Sequence, residues 1–390
     1  MSEKKSCCPP KTAPENPAAC CPPPKAADAV AEKTACCPPP SLRERPGYRL
    51  WSFVSGWMNT EVGEIPQVRT KLDWGDRVGR WQMRWGLGRM RYRIAPGLYA
   101  VGRPDPQSPV LVTANYKMSF DALRCELKGR HLWILVLETQ GINVWCAAGK
   151  GTFGTDELVR RIRATGLERL VSHRRLILPQ LGAVGVAAHE VRKQSGFQVI
   201  YGPVRAADLP ALLNGGEKAV TLGMRRVEFP LGERLALTPV ELVSMGKITL
   251  WAVLILLVLA GIGPGIFSFS AAFSRGTTAV AVYLVGVFAG AVLTPLLLPW
   301  LPWRAFSAKG ALVGAGLALV ILIASSGVGL FNTLALILSL AAVSSYCAMN
   351  FTGSTTFTSP SGVEKEMRRA IPLQAGALLL AGIFWLGSGF

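Results

Sequence analysis

The stretch that decides the fold is Leu132-Trp133-Ile134-Leu135-Val136-Leu137. An unbroken apolar run, without the polar alternation of a half-exposed strand, predicts a β-strand that is buried on both faces. Shorter apolar runs at 110–113, 176–178 and 197–201 predict further strands of this kind, and segments with helical spacing separate them. Strands that alternate with helices predict a parallel sheet with helices on both faces, which is a Rossmann-like α/β domain.

The residues that follow these strands are candidates for a binding site, because ligands of such sheets sit at the carboxyl ends of the strands. All four connections are rich in small residues. They contain Thr113 and Asn115 after the first strand, residues 143–150 after the second, Gln180 and Gly182 after the third, and Gly202-Pro203 after the fourth. This arrangement predicts a site for a large flat or phosphorylated cofactor.

Cys146 has the most reactive side chain in these connections. It lies in a segment of small residues beside Trp145, and Lys150 follows it closely. A nearby lysine and a helix dipole favour the thiolate form of a cysteine. A buried structural cysteine is the alternative interpretation, since free cysteines are common in protein cores.

The C-terminal part of the chain is strongly apolar. Charged residues make up only 17% of the sequence, yet the net charge is +18, and the mean hydropathy is +0.32. These values exclude an ordinary cytosolic enzyme and a fully disordered chain, and they indicate a membrane protein with a basic soluble part. Apolar runs at 248–270, 277–300, 310–325, 328–351 and 371–389 predict an all-α transmembrane domain of five helices. Residues 261–265, Gly-Ile-Gly-Pro-Gly, could break the first of them.

The loop charges predict the orientation of this domain. With the N-terminal part in the cytoplasm, one loop cation, Arg275, lies outside. The inside loops then hold Arg304, Lys309, Lys365, Arg368 and Arg369. This distribution follows the positive-inside rule and predicts a multi-pass protein of the cell inner (cytoplasmic) membrane with its N-terminal domain in the cytoplasm. No span carries a charge near its middle, which favours an anchor, although transport stays open.

The N-terminal tail, residues 1–41, repeats the sequence Cys-Cys-Pro-Pro three times. Its proline content and lack of large apolar residues predict disorder. Its spacing matches neither a zinc site nor a ferredoxin, so we expect no iron–sulfur cluster in this chain. Soft thiolates could instead capture a thiophilic ion such as Hg(II), although a linker with incidental cysteines is the alternative. The cysteines are Cys7, Cys8, Cys20, Cys21, Cys36 and Cys37. We expect domain boundaries at 1–41, 42–246 and 247–390.

Arginines and aromatic residues interleave between residues 74 and 93. The set comprises Arg77, Arg80, Arg84, Arg89, Arg91 and Arg93 with Trp74, Trp81, Trp85 and Tyr92. In a chain with a membrane domain this pattern favours contact with anionic lipid headgroups. Docking of an acidic ferredoxin stays open, and nucleic-acid binding is the least favoured of the three interpretations.

Residues 143–150, Asn-Val-Trp-Cys-Ala-Ala-Gly-Lys, resemble the cap-helix motif of the HgcA family, the membrane corrinoid proteins of microbial mercury methylation. The resemblance extends to residues 113–117 and 179–186, to the five apolar runs and to residues 350–369. The chain is more distantly similar to the corrinoid-binding domain of the corrinoid iron–sulfur protein of the reductive acetyl-CoA pathway. The cysteine-rich tail is not part of the family pattern.

The resemblance implies a corrinoid-dependent methyltransferase with a cobalamin-type cofactor bound base-off. Cys146 would be the lower axial ligand of cobalt, and the methyl group would pass from cobalt to Hg(II), giving methylmercury. Small residues of the cap are expected to let its helix lie flat under the corrin ring. The cofactor-binding residues would be Asn143, Val144, Trp145, Cys146, Ala147, Ala148, Gly149 and Lys150, with Thr113, Asn115, Gln180 and Gly182 around the lower base or the ring amides.

The resemblance also implies two protein partners. A two-cluster ferredoxin, HgcB, would reduce the cobalt, and a corrinoid methyltransferase would supply the methyl group. Two alternatives remain: a membrane corrinoid methyl carrier with another acceptor, and a thiol-rich protein that binds or transports heavy metals.

Overall fold

The computed structural model describes residues 51–325, 327–352 and 360–389. The predicted tail, 1–41, and its six cysteines lie outside the described residues. The N-terminal part of the described chain forms a seven-stranded sheet in the order β1-β2-β3-β5-β4-β6-β7. The strands are β1 (Val54–Thr60), β2 (Gly63–Val68), β3 (Gly97–Val101), β4 (Val110–Ala114), β5 (Leu132–Leu137), β6 (Arg175–Leu178) and β7 (Gln198–Tyr201).

The four predicted strands form one parallel block of this sheet, and β2 and β3 form a short parallel pair outside it. β4 pairs in parallel with β5 on one side and with β6 on the other, and β6 pairs in parallel with β7. The chain therefore moves from β4 to one neighbour and then returns past β4 to the other, so the strand order reverses between β4 and β6. In open α/β sheets the crevice at such a reversal is the usual ligand site.

The prediction of a purely parallel sheet is wrong for its other half. β3 is antiparallel to β5, and β1 and β2 form an antiparallel hairpin. Residues 102–109 are too few for the crossover that a parallel return would need, so the chain turns back into β4 in the opposite direction. The sheet is mixed.

Helices cover both faces of the sheet, as predicted. On β5, Leu132, Ile134 and Val136 pack into one apolar core, whereas the alternating residues pack into the other. Leu158 of α4 belongs to one core and Phe120 of α2 to the other. The helices of this part are α1 (Trp74–Arg84), α2 (Lys117–Cys125), α3 (Val144–Gly149), α4 (Thr155–Thr165), α5 (Leu167–Leu170), α6 (Ala188–Ser195) and α7 (Leu209–Gly215).

A ring of four charges joins α1 to α2. Lys117 Nζ lies 2.6 Å from Asp76 and 2.6 Å from Asp121. Arg124 completes the ring, with Nη2 2.6 Å from Asp76 and Nε 2.8 Å from Asp121. All four side chains are buried. Their charges cancel, and the hydrogen bonds from Lys117 and Arg124 outweigh the effect of burial and hold the pKa of Asp76 at about 2.

The C-terminal part is a bundle of apolar helices. Its helices are α8 (Leu231–Ser244), α9 (Gly246–Ala260), α10 (Phe269–Phe288), α11 (Thr294–Leu297), α12 (Phe306–Ala324), α13 (Leu330–Thr352) and α14 (Pro360–Gly387), with a π-helical turn at Ala289–Leu293 and a hairpin of β8 (Ile262–Gly263) and β9 (Ile266–Phe267). α8 links this bundle to the sheet domain, because it contacts both α1 and α11.

Four segments of the described chain are long and apolar enough to cross a membrane: Phe269–Leu297, Phe306–Ala324, Leu330–Phe351 and Gly362–Gly387. The first predicted span, 248–270, is not one continuous helix. α9 ends at Ala260, and the Gly-Pro-Gly sequence after it forms the turn of the short hairpin. α8 and α9 pass the same test together but are bent by 52°. Five spans are reached only if this bent pair counts as one.

Candidate functional site

α3 begins directly after the loop that follows β5. Asn143 is its N-cap, and its side-chain oxygen accepts a hydrogen bond of 2.9 Å from the backbone N–H of Cys146. Asn143 therefore fixes the first turn of the helix that carries the thiol. Val144, Ala147 and Ala148 are buried, whereas Trp145 and Cys146 are half-buried and Gly149 and Lys150 are exposed.

The small residues of α3 attach the helix to the protein rather than forming its outer face. Ala147 and Ala148 belong to the apolar core beneath the helix. A Cβ on Gly185 would lie 3.0 Å from Ala148 Cα and 2.2 Å from the carbonyl oxygen of Phe153, so this contact requires glycine. The side chains of Ala147 and Ala148 point inward, and their contact with a cofactor stays a prediction. Trp145, Cys146, Gly149 and Lys150 form the outward face.

A cavity of about 250 Å³ lies where the strand order reverses. β4 and β6 pair at Leu111 and Ile177, and the cavity lies beside the carboxyl ends of these two strands. Thr113, Asn143 and Trp145 line it together with apolar residues from α2, β6 and the start of α7. The cavity and the outward face of α3 share Trp145, so together they form one site at the predicted edge of the sheet.

Asn115 lies beneath this site and is fully buried. Its Nδ2 donates to Glu138 at 2.8 Å, and its Oδ1 accepts from Thr139 Oγ1 at 2.8 Å and from the backbone N–H of Gly141 at 2.9 Å. Its amide is thus used to hold the loop between β5 and α3. Asn115 therefore helps to position α3, and its predicted place around the lower base or the ring amides stays a prediction.

Gln180 and Gly182 flank Leu181, which lines the cavity. Gln180 accepts a hydrogen bond of 2.8 Å from Arg225, which also donates to the backbone of Tyr201. A Cβ on Gly182 would lie 2.6 Å from the ring of Phe153, so this glycine gives the ring its space. Both residues shape the wall that faces α3.

The structure adds Tyr116 and Arg89 to the surroundings of Cys146. Burial raises the pKa of Tyr116; the charge and hydrogen bond of Arg89 lower it, and the Cys146 charge adds to the rise. Tyr116 is thus electrostatically coupled both to the arginine and to the thiol. The sequence proposed Lys150 as the nearby cation; it is exposed at the end of α3, and its role stays a prediction. Tyr116 directly follows Asn115, and its position after β4 was the available signal.

The basic aromatic segment, 74–93, forms α1 and the turn after it. Trp74 is 77% exposed and Trp81 is 58% exposed, whereas Asp76 and Met83 of the same helix are buried. The charge ring thus holds one face of α1 in the protein and leaves its tryptophans on the surface. Within the described residues, no group of three or more His, Cys, Asp or Glu side chains could hold a metal ion.

The part of the chain that carries this site is similar to known proteins. Residues 89–213 match the CdhD family model, described as CO dehydrogenase/acetyl-CoA synthase delta subunit. The match runs from the turn before β3 to α7, and so includes the cavity and α3. It lies outside β1, β2 and the helical bundle.

Curated relatives agree with this match. The chain is 32% identical over 122 residues to the acetyl-CoA decarbonylase/synthase complex subunit gamma of Methanopyrus kandleri, covering 31% of this chain and 26% of the relative. It is 27% identical over 121 residues to the corrinoid/iron-sulfur protein large subunit of Moorella thermoacetica, covering 30% and 27%. The chain therefore spans about a quarter of the length of these relatives. The predicted relation to the corrinoid iron–sulfur protein is confirmed.

Proposed function

We propose that the chain is a membrane-bound, corrinoid-dependent methyltransferase of the HgcA type that methylates Hg(II). The observation that carries the proposal is the position of Cys146. It is half-buried on the outward face of α3, next to a cavity at the strand reversal, in a domain similar to a protein named as a corrinoid/iron-sulfur protein. The same position supports the thiol as a ligand of a bound group rather than as a core residue.

The residues present fit a base-off corrinoid. The cavity of about 250 Å³ is too small for a corrin ring, but its apolar walls with Thr113 and Asn143 suit an aromatic base that has left the cobalt. The ring would then be held on the outward face of α3 by Trp145, Cys146 and Gly149. When bound, such a cofactor supplies a methyl group on cobalt, and a sulfur ligand favours its release to an electrophile such as Hg(II).

The chain itself would do three things for this chemistry. Cys146 would ligate the cobalt. Asn143 and, beneath it, Asn115 would hold α3 and hence the sulfur in place. Arg89, which is coupled to the neutral phenol of Tyr116, would supply positive charge near the thiol. Two pairs of residues would act indirectly. The wall that faces α3 is shaped by Gln180 and Gly182, and α3 is packed onto the core through Ala147 and Ala148.

The test is the visible spectrum of the full chain in mild detergent, reconstituted with cobalamin. We expect Cys146→Ala to change the cobalt bands and to lower methylation of Hg(II) at least about 100-fold, whereas Cys146→Thr separates the need for sulfur from the need for a base-off site. Cys125→Ala is the matched control, because Cys125 is also a half-buried free thiol but lies on α2. A folded protein that binds no corrinoid would remove the proposal.

A membrane corrinoid carrier with a different methyl acceptor is the second candidate. It is favoured by the acetyl-CoA decarbonylase/synthase names of several relatives. Both candidates need the corrinoid and Cys146, so only turnover separates them. Methylmercury formed by the purified, methyl-loaded chain from Hg(II) supports the first, and loss of the methyl group only to another acceptor supports the second.

The partners and the location belong to the same proposal. A two-cluster ferredoxin, HgcB, would return the cobalt to its reduced state, and a corrinoid methyltransferase would reload the methyl group. The apolar helices support a membrane location, and the loop cations support a cytoplasmic sheet domain in the inner membrane. The tail cysteines would capture Hg(II), and deletion of residues 1–40 should then lower methylation only when Hg(II) is limiting.

A further inference from the structure

A second and larger cavity lies in the helical bundle, far along the chain from Cys146. Its volume is about 1070 Å³. It is formed by the beginnings of α12 and α14, the second half of α13 and the beginning of α8. Because α8 leads into the sheet domain, the cavity lies at the end of the bundle that faces this domain. The ends of membrane-spanning helices are at the level of lipid headgroups.

The walls of this cavity are basic. Among the described residues that line it, Glu366 is the one carboxylate, and it already accepts a hydrogen bond of 2.6 Å from the backbone N–H of Ser307. Arg304, Lys365 and Arg369 form no ion pair within the described residues. The lining cations are Arg234, Arg304, Lys309, Lys365 and Arg369. An uncompensated positive potential over an apolar bundle attracts an anion.

Two buried polar groups on the wall lack partners in the described part of the chain. Arg234 is 6% exposed, and its Nη1 donates to the carbonyls of Pro295 and Leu296 at 3.1 and 2.8 Å. These bonds fix its guanidinium and leave Nε without an acceptor. Gln374 is 7% exposed, and its Nε2 donates to Ser345 while its Oε1 has no donor. Both atoms are closed off from solvent, and leaving them unpaired costs about 1–3 kcal/mol each, so each side chain gains if it turns towards a polar ligand in the cavity.

The rest of the wall is apolar. Ala311, Ala341, Leu373 and Ala377 line it beside Gln374. A basic rim above an apolar wall matches a molecule with an anionic head and hydrocarbon chains, and it does not match a small hydrophilic anion. The amide of Gln374 can present either its oxygen or, after exchange of O and N, its nitrogen to the ester or glycerol group of such a molecule.

We propose that this cavity binds an anionic phospholipid from the leaflet on the side of the sheet domain. The phosphate contacts Arg234 and Arg369, with Lys365 at the rim, and the acyl chains lie along the apolar wall. The bound lipid joins α8 to α14 and so couples the sheet domain to the bundle. This proposal goes beyond methyl transfer and does not depend on it.

The test uses native mass spectrometry of the full chain released from nanodiscs that contain phosphatidylglycerol and phosphatidylcholine. We expect wild type to retain phosphatidylglycerol in preference to phosphatidylcholine. The double variant Lys365→Gln/Arg369→Gln should retain at least about tenfold less, because two unpaired cations of the rim are removed. Arg368→Gln is the control: Arg368 is on the same helix, pairs with Glu364 at 2.7 Å and does not line the cavity.

Three outcomes overturn the proposal: no preference between the two lipids, equal loss in the double variant and in Arg368→Gln, or displacement of the lipid by an excess of inorganic phosphate, which would indicate a site for a soluble anion. A second measurement tests the proposal in the wild-type chain, in case the variants fold poorly. Phosphatidylglycerol with brominated chains should quench the fluorescence of Trp303, which lines the cavity and is 64% exposed. Trp303→Phe should remove that quenched component, and its persistence would contradict the proposal. The cobalamin spectrum should not change in any of these variants.

Discussion

The ring of four charges between α1 and α2 and the cavity of the helical bundle are both buried, polar and rich in cations, but they differ in how their groups are satisfied. In the ring, two carboxylates pair with two cations at 2.6–2.8 Å, and each carboxylate bonds to both. In the cavity, five cations line a wall with one carboxylate, and Arg234 and Gln374 each keep an unpaired atom.

This difference distinguishes charged groups that hold the fold together from charged groups that are available to bind a ligand. A closed set of buried charges has no capacity for a ligand, and it serves to fix the elements that carry it. A group of polar side chains with unpaired atoms can still bind a ligand, but the unpaired atoms destabilise the protein. We expect such atoms to be retained where a bound ligand offsets the loss of stability. The same criterion applies to the proposed corrinoid site. The amide of Asn115 is hydrogen-bonded within the protein and supports α3, whereas Cys146 is half-buried and available to a ligand.

Breaking the ring should have the largest effect on stability. Asp76→Asn leaves Lys117 and Arg124 buried with one carboxylate between them, and removal of one member of a buried ion network costs about 3–5 kcal/mol. We expect this loss in urea unfolding of the full chain in mild detergent, followed by tryptophan fluorescence. Asp73→Asn is the control on the same helix, because asparagine also caps helices, and it should cost less than about 0.5 kcal/mol.

The same variant predicts a pH dependence. The pKa of Asp76 is held at about 2, below its ordinary value of 3.8, so its charged form is favoured by folding. Its contribution is complete above pH 3.8 and is lost as the pH falls towards 2. The stability difference between wild type and Asp76→Asn should therefore be constant near neutral pH and shrink below pH 3.8. A difference that grows on acidification would contradict the assigned role.

The ring also shows what sequence patterns could not provide. The strands β4 to β7 and their order of appearance were predicted correctly, because unbroken apolar runs are a local signal. The positions of β3 and of the hairpin of β1 and β2 depend on the edge of the sheet at which they pair. A local sequence pattern does not show that edge. Likewise the helical spacing of α1 is visible in the sequence, but its attachment through Lys117 and Arg124 joins residues that are 41 and 48 positions apart.

The candidate site divides in the same way. The sequence predicted the edge of the sheet and the segment 143–150, because both follow from strand positions. It could not tell that Asn115 is consumed by the loop 138–141 or that Ala147 and Ala148 face the core, since both depend on the direction of side chains. Tyr116 is coupled to Arg89 and to Cys146, which belong to other elements, and this coupling depends on the three-dimensional fold.

Opening the closed network under the cap should have an intermediate effect. Asn115→Ala leaves the N–H groups of Thr139 and Gly141 without their acceptor, which should cost about 2–3 kcal/mol, whereas the hydroxyl of Thr139 keeps the carbonyl oxygen of Ile142. Because α3 follows this loop, cobalamin affinity should fall at least about tenfold in a spectral titration. Asn214→Ala removes an amide that accepts only from exposed Arg130, and it should change neither quantity. Equal effects of the two variants would show that Asn115 has no special role.

The smallest change in stability should come from the side chains with unpaired atoms. Gln374→Leu removes an oxygen that has no donor and frees Ser345, so in detergent without anionic lipid the urea midpoint should shift by the equivalent of at most about 1 kcal/mol. Phosphatidylglycerol should stabilise wild type more than Gln374→Leu, because only the amide can bond to the lipid. Gln67→Leu, whose Nε2 donates to Gly102 on the surface of the sheet domain, should respond to the lipid as wild type does. If Gln374→Leu lowered the free energy of unfolding as much as Asp76→Asn does, the polar groups of the cavity would stabilise the fold as the ring does. The distinction between the two regions would then fail.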